Sequence, residues 1–196
     1  MQVKEKAPFL YNFGKNLFKI IFTVFYRVRV EGRENIPQTG GVIIAPNHIS
    51  FFDPPLAGSM MKRPLKFMAK QELFDKPVLG FIIKRTNAFP VRRGVMDIHA
   101  MRSAFQILKD GHALLVFPEG RRSKEGVLGE AHSGAGMIAC NAQVPLIPTR
   151  IENTNKMSRF KKIVIKYGKP LYPPQNFFKD DYVKLSQAAL DEISKM

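Results

Sequence analysis

His48 and Asp53 stand five residues apart in Pro46-Asn47-His48-Ile49-Ser50-Phe51-Phe52-Asp53-Pro54. Neutral imidazole can take a proton from a hydroxyl near neutral pH. A carboxylate on its other ring nitrogen fixes the tautomer and stabilises the imidazolium that forms. A tight turn across the five-residue spacing lets Asp53 curl back to His48, which is the base-and-orienter half of a catalytic triad. The same aspartate is equally placed to cap a helix, because Pro54 and Pro55 follow it. No serine or cysteine nucleophile stands out, so the attacking group would be a hydroxyl carried by the substrate.

The elements around this pair set where it sits. Gly41-Val42-Ile43-Ile44-Ala45 has the length and β-branched content of a buried strand. His48 therefore falls just past a strand end, where α/β sheets collect their chemistry. Further strands are expected at Val28–Gly32, Lys66–Ala69, Ala88–Val91, Ala113–Phe117, Pro145–Ile151 and Lys161–Tyr167. Helices are expected near Pro55–Met61, at Pro77–Lys84, Met96–Asp110, Gly134–Ala142 and Asp180–Lys195. Alternating strands and helices predict an α/β fold with a mixed, largely parallel central sheet flanked by helices.

Residues 8–30 read differently. Asn12, Lys15, Asn16, Lys19, Thr23 and Arg27 recur at helical steps among Phe, Leu, Ile, Val and Tyr. The charges interrupt any run long enough to span a bilayer. A basic stripe opposite a wide aromatic and aliphatic face fits an amphipathic helix in a membrane interface, with a helix packed on the core, or a single tilted span, as the alternatives. The chain is thus divided into an interface helix at 1–30 and one domain at 31–196. Attachment to the cytoplasmic face of a membrane is expected, with no cleavable leader.

The charge balance agrees, since 31 Lys+Arg against 16 Asp+Glu leave +15. Such a surface seeks anions: lipid head groups, phosphorylated substrates or nucleic acid. The last has no recognisable DNA- or RNA-binding motif behind it, and a nucleic-acid module would leave His48 and Asp53 unexplained. Cys140 is the single cysteine, which excludes an intrachain disulfide and fits a reducing compartment. Four histidines and one cysteine make no zinc-ligand cluster, so no metal site and no cofactor are expected.

Two more strand ends carry polar clusters: Arg92 and Arg93 before Gly94, and Glu119, Arg121 and Arg122 around Gly120. Arginine forks match phosphate oxygens, and glycines let backbone approach a ligand. Together these clusters resemble the motif blocks of the lysophosphatidic acid (1-acylglycerol-3-phosphate) acyltransferase family. Asn47-His48-Ile49-Ser50-Phe51-Phe52-Asp53 is similar to its first block, Phe89-Pro90-Val91-Arg92-Arg93 to its second, Phe117-Pro118-Glu119-Gly120-Arg121-Arg122-Ser123 to its third and Val144-Pro145-Leu146-Ile147-Pro148 to its fourth. Two positions depart from the pattern. Arg121 replaces the usual threonine, and His132 in Ala131-His132-Ser133-Gly134 stands where many members have a phosphate-holding lysine.

The resemblance implies that His48 is the general base and Asp53 its orienter. It implies transfer of an acyl group from acyl-CoA or acyl carrier protein to the sn-2 hydroxyl of lysophosphatidic acid, without an acyl-enzyme or a metal. Asn47, Ser50, Arg92, Arg93, Glu119, Gly120, Arg121 and Arg122 would line the substrate site. Arg92 and Arg122 would grip phosphate, and Glu119 would hold an arginine or contact glycerol. Oxyanion donors are sought in the loops after Ala45 and near Pro145. Acylation of glycerol-3-phosphate or of another lysophospholipid is the alternative within the same chemistry.

Overall fold

The computed structural model describes residues 9–92, 94–95, 97–123 and 127–196. Arg93 and Met96, two residues of the sequence reading, lie outside them. The strands are β1 (Arg29–Glu31), β2 (Val42–Pro46), β3 (Leu65–Lys70), β4 (Ala88–Val91), β5 (Ala113–Leu115), β6 (Leu146–Glu152) and β7 (Val164–Tyr167). They form one seven-stranded sheet in the order β1-β7-β6-β2-β5-β3-β4. β6, β2, β5, β3 and β4 run parallel. β7 returns antiparallel to β6, and β1 lies parallel to β7. The expected mixed, largely parallel sheet is therefore present.

β2 is buried along its whole length because both faces of the sheet are covered, which is why its sequence is an unbroken apolar run. α1 (Phe9–Tyr26) and α2 (Asp53–Met60) pack on one face. There Phe22, Leu56, Ala57 and Met60 meet Val42, Ile44 and Leu115. Gly58 lets α2 lie close to the sheet, since a Cβ there would stand 2.8 Å from the ring of Phe67. α5 (Ile98–Lys109), α6 (Ser133–Ala142) and α7 (Lys179–Lys195) cover the other face. Ala104, Leu108, Ile138 and Ala189 are buried there against Ile43 and Leu114. Cys140 belongs to this second core and is fully buried.

Several elements differ in extent from their sequence pattern. The N-terminal helix stops at Tyr26, where Arg27 adopts φ 45°, and β1 follows. β5 ends at Leu115, although the Val116 N–H still donates to the Ile44 carbonyl. A short helix, α3 (Gln71–Phe74), precedes α4 (Pro77–Lys84) and has no apolar period long enough to announce it.

The polar stripe of α1 also needs correction. The helix turns Tyr11, Phe22 and Tyr26 into the core, and the Tyr11 hydroxyl accepts the Leu65 N–H at 2.9 Å. Lys15 faces inward with them, donating to the Lys62 carbonyl at 3.2 Å. Burial, helped by the charge of Lys19, pulls its ammonium pKa below the usual lysine range. The exposed half carries Asn12, Asn16, Lys19 and Thr23 beside Phe9, Phe13, Leu17, Ile20 and Val24. Polar and apolar stripes thus run side by side on the outer half, because the core claims the inner half.

Candidate active site

The site is built at the carboxyl end of β2. Asn47 fastens that end to the neighbouring strand. Its Nδ2 donates to the Ile151 carbonyl at 3.0 Å, and its Oδ1 accepts the Ile151 N–H at 2.7 Å. Asn47 is thus spent on fixing where β2 stops, one residue before His48.

His48 is held at both backbone groups. Its N–H donates to Glu119 Oε1 at 2.8 Å. Its carbonyl accepts from the Ser123 N–H at 2.7 Å and from Ser123 Oγ at 3.1 Å. The imidazole stacks on Phe117 with ring centroids 3.8 Å apart. The loop after β5 therefore fixes the position of His48 through Phe117, Glu119 and Ser123. Glu119 is buried, and its second oxygen accepts the Gly129 N–H at 2.8 Å. These contacts tie the loop after β5 to the end of β2 and to Gly129.

His48 Nδ1 lies 2.9 Å from Asp53 Oδ2. The same oxygen accepts the Ile49 and Ser50 N–H groups, each at 2.7 Å. Asp53 Oδ1 accepts the Thr154 hydroxyl at 2.6 Å. Every partner that reaches this fully buried carboxyl group is a donor, the pattern an ionised carboxylate satisfies. Nδ1 then carries the imidazole proton, an assignment made from the network. Nε2 is left as the basic nitrogen for a substrate. Asp53 also opens α2, so its two expected roles, helix start and imidazole partner, coexist.

The described structure brings together His48, Asp53, Asn47, Ser50, Glu119, Gly120 and Arg122. Ser50 is buried, and its Oγ accepts the Phe52 N–H at 3.2 Å, shaping the turn between His48 and Asp53. Gly120 takes φ 64° and closes a turn by donating to the Phe117 carbonyl at 3.0 Å. A Cβ there would come within 3.2 Å of the His132 ring. Arg122 lies over Phe51, 3.5 Å from the ring centroid, next to the turn that joins His48 to Asp53. Arg121 is exposed.

Arg92 stands elsewhere. It follows directly on β4, three strands from β2, or about 14 Å across the sheet. Its N–H donates to Asp97 Oδ2 at 2.9 Å, and its Nε is 3.5 Å from the same oxygen. The stretch around Pro145 is also distant. The Pro145 carbonyl accepts the Ile43 N–H where β6 begins, so this loop sits at the opposite end of the sheet from His48. Oxyanion donors from that loop are excluded by the parallel register.

Thr154 is the residue that sequence reasoning missed. It lies 101 positions from Asp53 in the chain, beyond any local spacing pattern. Its one legible signal is position, two residues after the end of β6 in a sheet whose strand ends gather polar groups.

Among the described residues no group of three or more His, Cys, Asp or Glu is arranged to hold a metal. The site instead has a base, an anion that steadies it, and a cationic rim, the equipment for deprotonating a hydroxyl beside an anionic group. Comparison with known proteins gives this geometry a family. A family model described as Acyltransferase matches residues 27–152 and so spans both His48 and Thr149 on the clamped strands. The chain is 31% identical over 167 residues to the 1-acyl-sn-glycerol-3-phosphate acyltransferase of Bacillus subtilis, covering 83% of each protein. It is 32% identical over 138 residues to the chloroplastic enzyme LPAT1 of Arabidopsis thaliana, covering 68% of this chain and 38% of that one. The crystal structure of the 1-acyl-sn-glycerophosphate acyltransferase PlsC from Thermotoga maritima superimposes with a TM-score of 0.74 at 30% identity, over 95% of this chain and 77% of that one. With the matched segment framing the His48–Asp53 pair and the strands that hold it, the chain belongs to the acyltransferase family.

Proposed function

We propose that this protein moves a fatty acyl group from an acyl thioester to the sn-2 hydroxyl of lysophosphatidic acid, giving phosphatidic acid for phospholipid synthesis. The observation that carries the reading is the buried His48–Asp53 pair with Nε2 left for a substrate. No hydrogen bond joins that ring to a protein hydroxyl or thiol among the described residues. Ser123 donates to a carbonyl, Thr154 to Asp53, and Cys140 is in the opposite core. A substrate hydroxyl is the nucleophile that fits, and the relatives whose names specify 1-acyl-sn-glycerol-3-phosphate support the acceptor.

His48 Nε2 takes the proton of the acceptor hydroxyl as its oxygen bonds to the thioester carbonyl carbon. Asp53 stabilises the imidazolium formed at that moment. Collapse of the tetrahedral intermediate breaks the carbon–sulfur bond, and His48 returns the proton to the departing thiolate. The donor is acyl-CoA or acyl carrier protein. Arg122 supplies positive charge beside His48 for the acceptor phosphate, with the exposed Arg121 next to it. Within residues 1–30, α1 supplies the interface segment, and residues 31–196, joined in the sheet by β1 from Arg29, supply the catalytic fold. Among the described residues no helix is long and apolar enough to cross a membrane. The exposed stripe of Phe9, Phe13, Leu17, Ile20 and Val24 supports α1 lying in the interface of an anionic membrane.

Thiol release from acyl-CoA with lysophosphatidic acid, glycerol-3-phosphate and zwitterionic lysophospholipids tests the proposal. Lysophosphatidic acid is expected to be the best acceptor, and His48→Ala to lower kcat by roughly 10²–10⁴-fold. Turnover independent of any acceptor, or a His48→Ala protein with wild-type rate, would remove the mechanism.

A further inference from the structure

α4 is packed the wrong way round for a helix of a water-soluble domain. Its sequence, Pro-Val-Leu-Gly-Phe-Ile-Ile-Lys, places Gly80 on the inner side. A Cβ on Gly80 would lie 2.2 Å from the Phe74 carbonyl, so only glycine lets α4 seat against the end of α3. The large side chains point out instead. Val78 is 76% exposed, Phe81 55%, Ile82 43% and Leu79 38%. Single exposed apolar residues need no explanation, but four on two turns do.

The polar frame of this patch is cationic. Lys76 precedes the helix and Lys84 and Arg85 close it, all exposed, with Asp75 as the adjoining acid. Lys70 and Glu72 pair with each other at 2.9 Å. The Arg85 guanidinium lies over the Phe81 ring, 3.8 Å from its centroid. An aromatic ring capped by a cation suits a boundary where hydrocarbon gives way to phosphate.

Topology puts this patch on the α1 side of the molecule. The β2–α2–β3 and β3–α3–α4–β4 connections step in the same direction across the sheet. Both join parallel strands, and right-handed crossovers stepping the same way lie on the same face. The β4–α5–β5 connection steps back, and α5 is indeed buried in the opposite core. The exposed stripe of α1 and the exposed face of α4 therefore flank α2 on one side.

We infer that α4 is a second membrane contact, its Val78, Leu79, Phe81 and Ile82 entering the interface of an anionic bilayer between the basic groups Lys76, Lys84 and Arg85. The inference rests on the membrane reading of α1. Two separated contacts on one face fix the orientation of the domain on the bilayer, which a single helix leaves free to rotate about its axis. The occupant is a lipid surface rather than a protein groove because the patch is short and flanked by the cations Lys76, Lys84 and Arg85.

The chain has no tryptophan, so one introduced indole reports alone. The experiment uses three full-length variants, Phe81→Trp on α4, Leu17→Trp on the α1 stripe and Val183→Trp on α7 of the opposite layer. Each is titrated with phosphatidylglycerol–phosphatidylcholine vesicles, with and without bromine on the lipid acyl chains. Expected are a blue shift and bromine quenching for Phe81→Trp and Leu17→Trp, and neither for Val183→Trp. Quenching of Leu17→Trp without Phe81→Trp overturns the α4 contact and leaves the α1 reading intact. Quenching of neither overturns both, and equal quenching of Val183→Trp overturns the fixed orientation. A Phe81→Trp blue shift that grows with protein concentration in the absence of vesicles assigns the patch to a second copy of the chain, and also overturns the inference.

Discussion

Asp53 Oδ1 is buried and reached by the Thr154 hydroxyl, while Oδ2 is shared among His48 and two backbone N–H groups. Removing that hydroxyl leaves an oxygen lone pair without a donor, at a cost of about 1–3 kcal/mol. It also frees the carboxylate to rotate away from Nδ1. Thr154→Val is therefore expected to lower kcat by up to roughly 100-fold with KM for both substrates unchanged, since small misplacements of a catalytic group cost that much. Thr154→Ser, which restores the donor, is expected to recover most of the rate. Steady-state kinetics beside thermal unfolding decide it: a Val variant that loses only stability would reduce Thr154 to a packing role. The arginines separate on geometry. Arg122 lies next to the turn that joins His48 to Asp53, whereas Arg92 is some three strands away and engaged with Asp97. Arg122→Ala is expected to cost roughly 10- to 150-fold in kcat/KM for lysophosphatidic acid, and Arg92→Ala less. Equal and negligible effects would move the phosphate grip to other groups.

At the scale of elements, Asp97 joins the end of β4 to the start of α5. Its Oδ2 accepts the Arg92 N–H at 2.9 Å, and its Oδ1 accepts the Ala100 N–H at 3.1 Å as the N-cap of α5. The Arg92 N–H bond first, and the Ala100 bond second, hold its pKa below the ordinary aspartate value. A depressed carboxyl pKa stabilises the fold above the unfolded value of about 3.9 and loses that contribution as pH falls through the folded value. Asp97→Ala should therefore lower Tm at pH 7, and the gap to wild type should close as pH falls below about 4. Differential scanning at several pH values measures this. A gap that is constant across the range would mean that Asp97 acts through packing rather than through charge.

On the proposed membrane reading, the +15 charge would give the whole molecule a long-range attraction to anionic surfaces, and the exposed α1 stripe would supply the hydrophobic insertion. Changing Phe13→Ser together with Ile20→Ser alters only the outer half of α1 and leaves Phe22 and Tyr26 in the core. This double variant should sediment poorly with anionic vesicles while keeping its circular dichroism spectrum. Wild-type binding should weaken between low and physiological salt, because the Debye length falls to about 8 Å. Salt-independent binding would make the basic charge irrelevant to docking.

The sequence by itself determined the alternation of strands and helices, the largely parallel sheet and the placement of His48 beyond β2. Those features rest on local periodicity and on turn chemistry within a few residues. It also carried the His48–Asp53 pairing, because one turn closes that distance. Tertiary structure decided everything that joins distant strands. Asn47, expected to line the substrate site, took up its tie to Ile151 only when β6 came alongside β2, and Glu119 acquired its partners only when the loop after β5 folded over His48. Thr154 reaches Asp53 through a register that no spacing encodes. The inward turn of Lys15 and the outward face of α4 were settled by what lay on either side of each helix. A hydrophobic pattern marks which side chains avoid water, but the packing of neighbouring elements chooses which of them are buried in the protein.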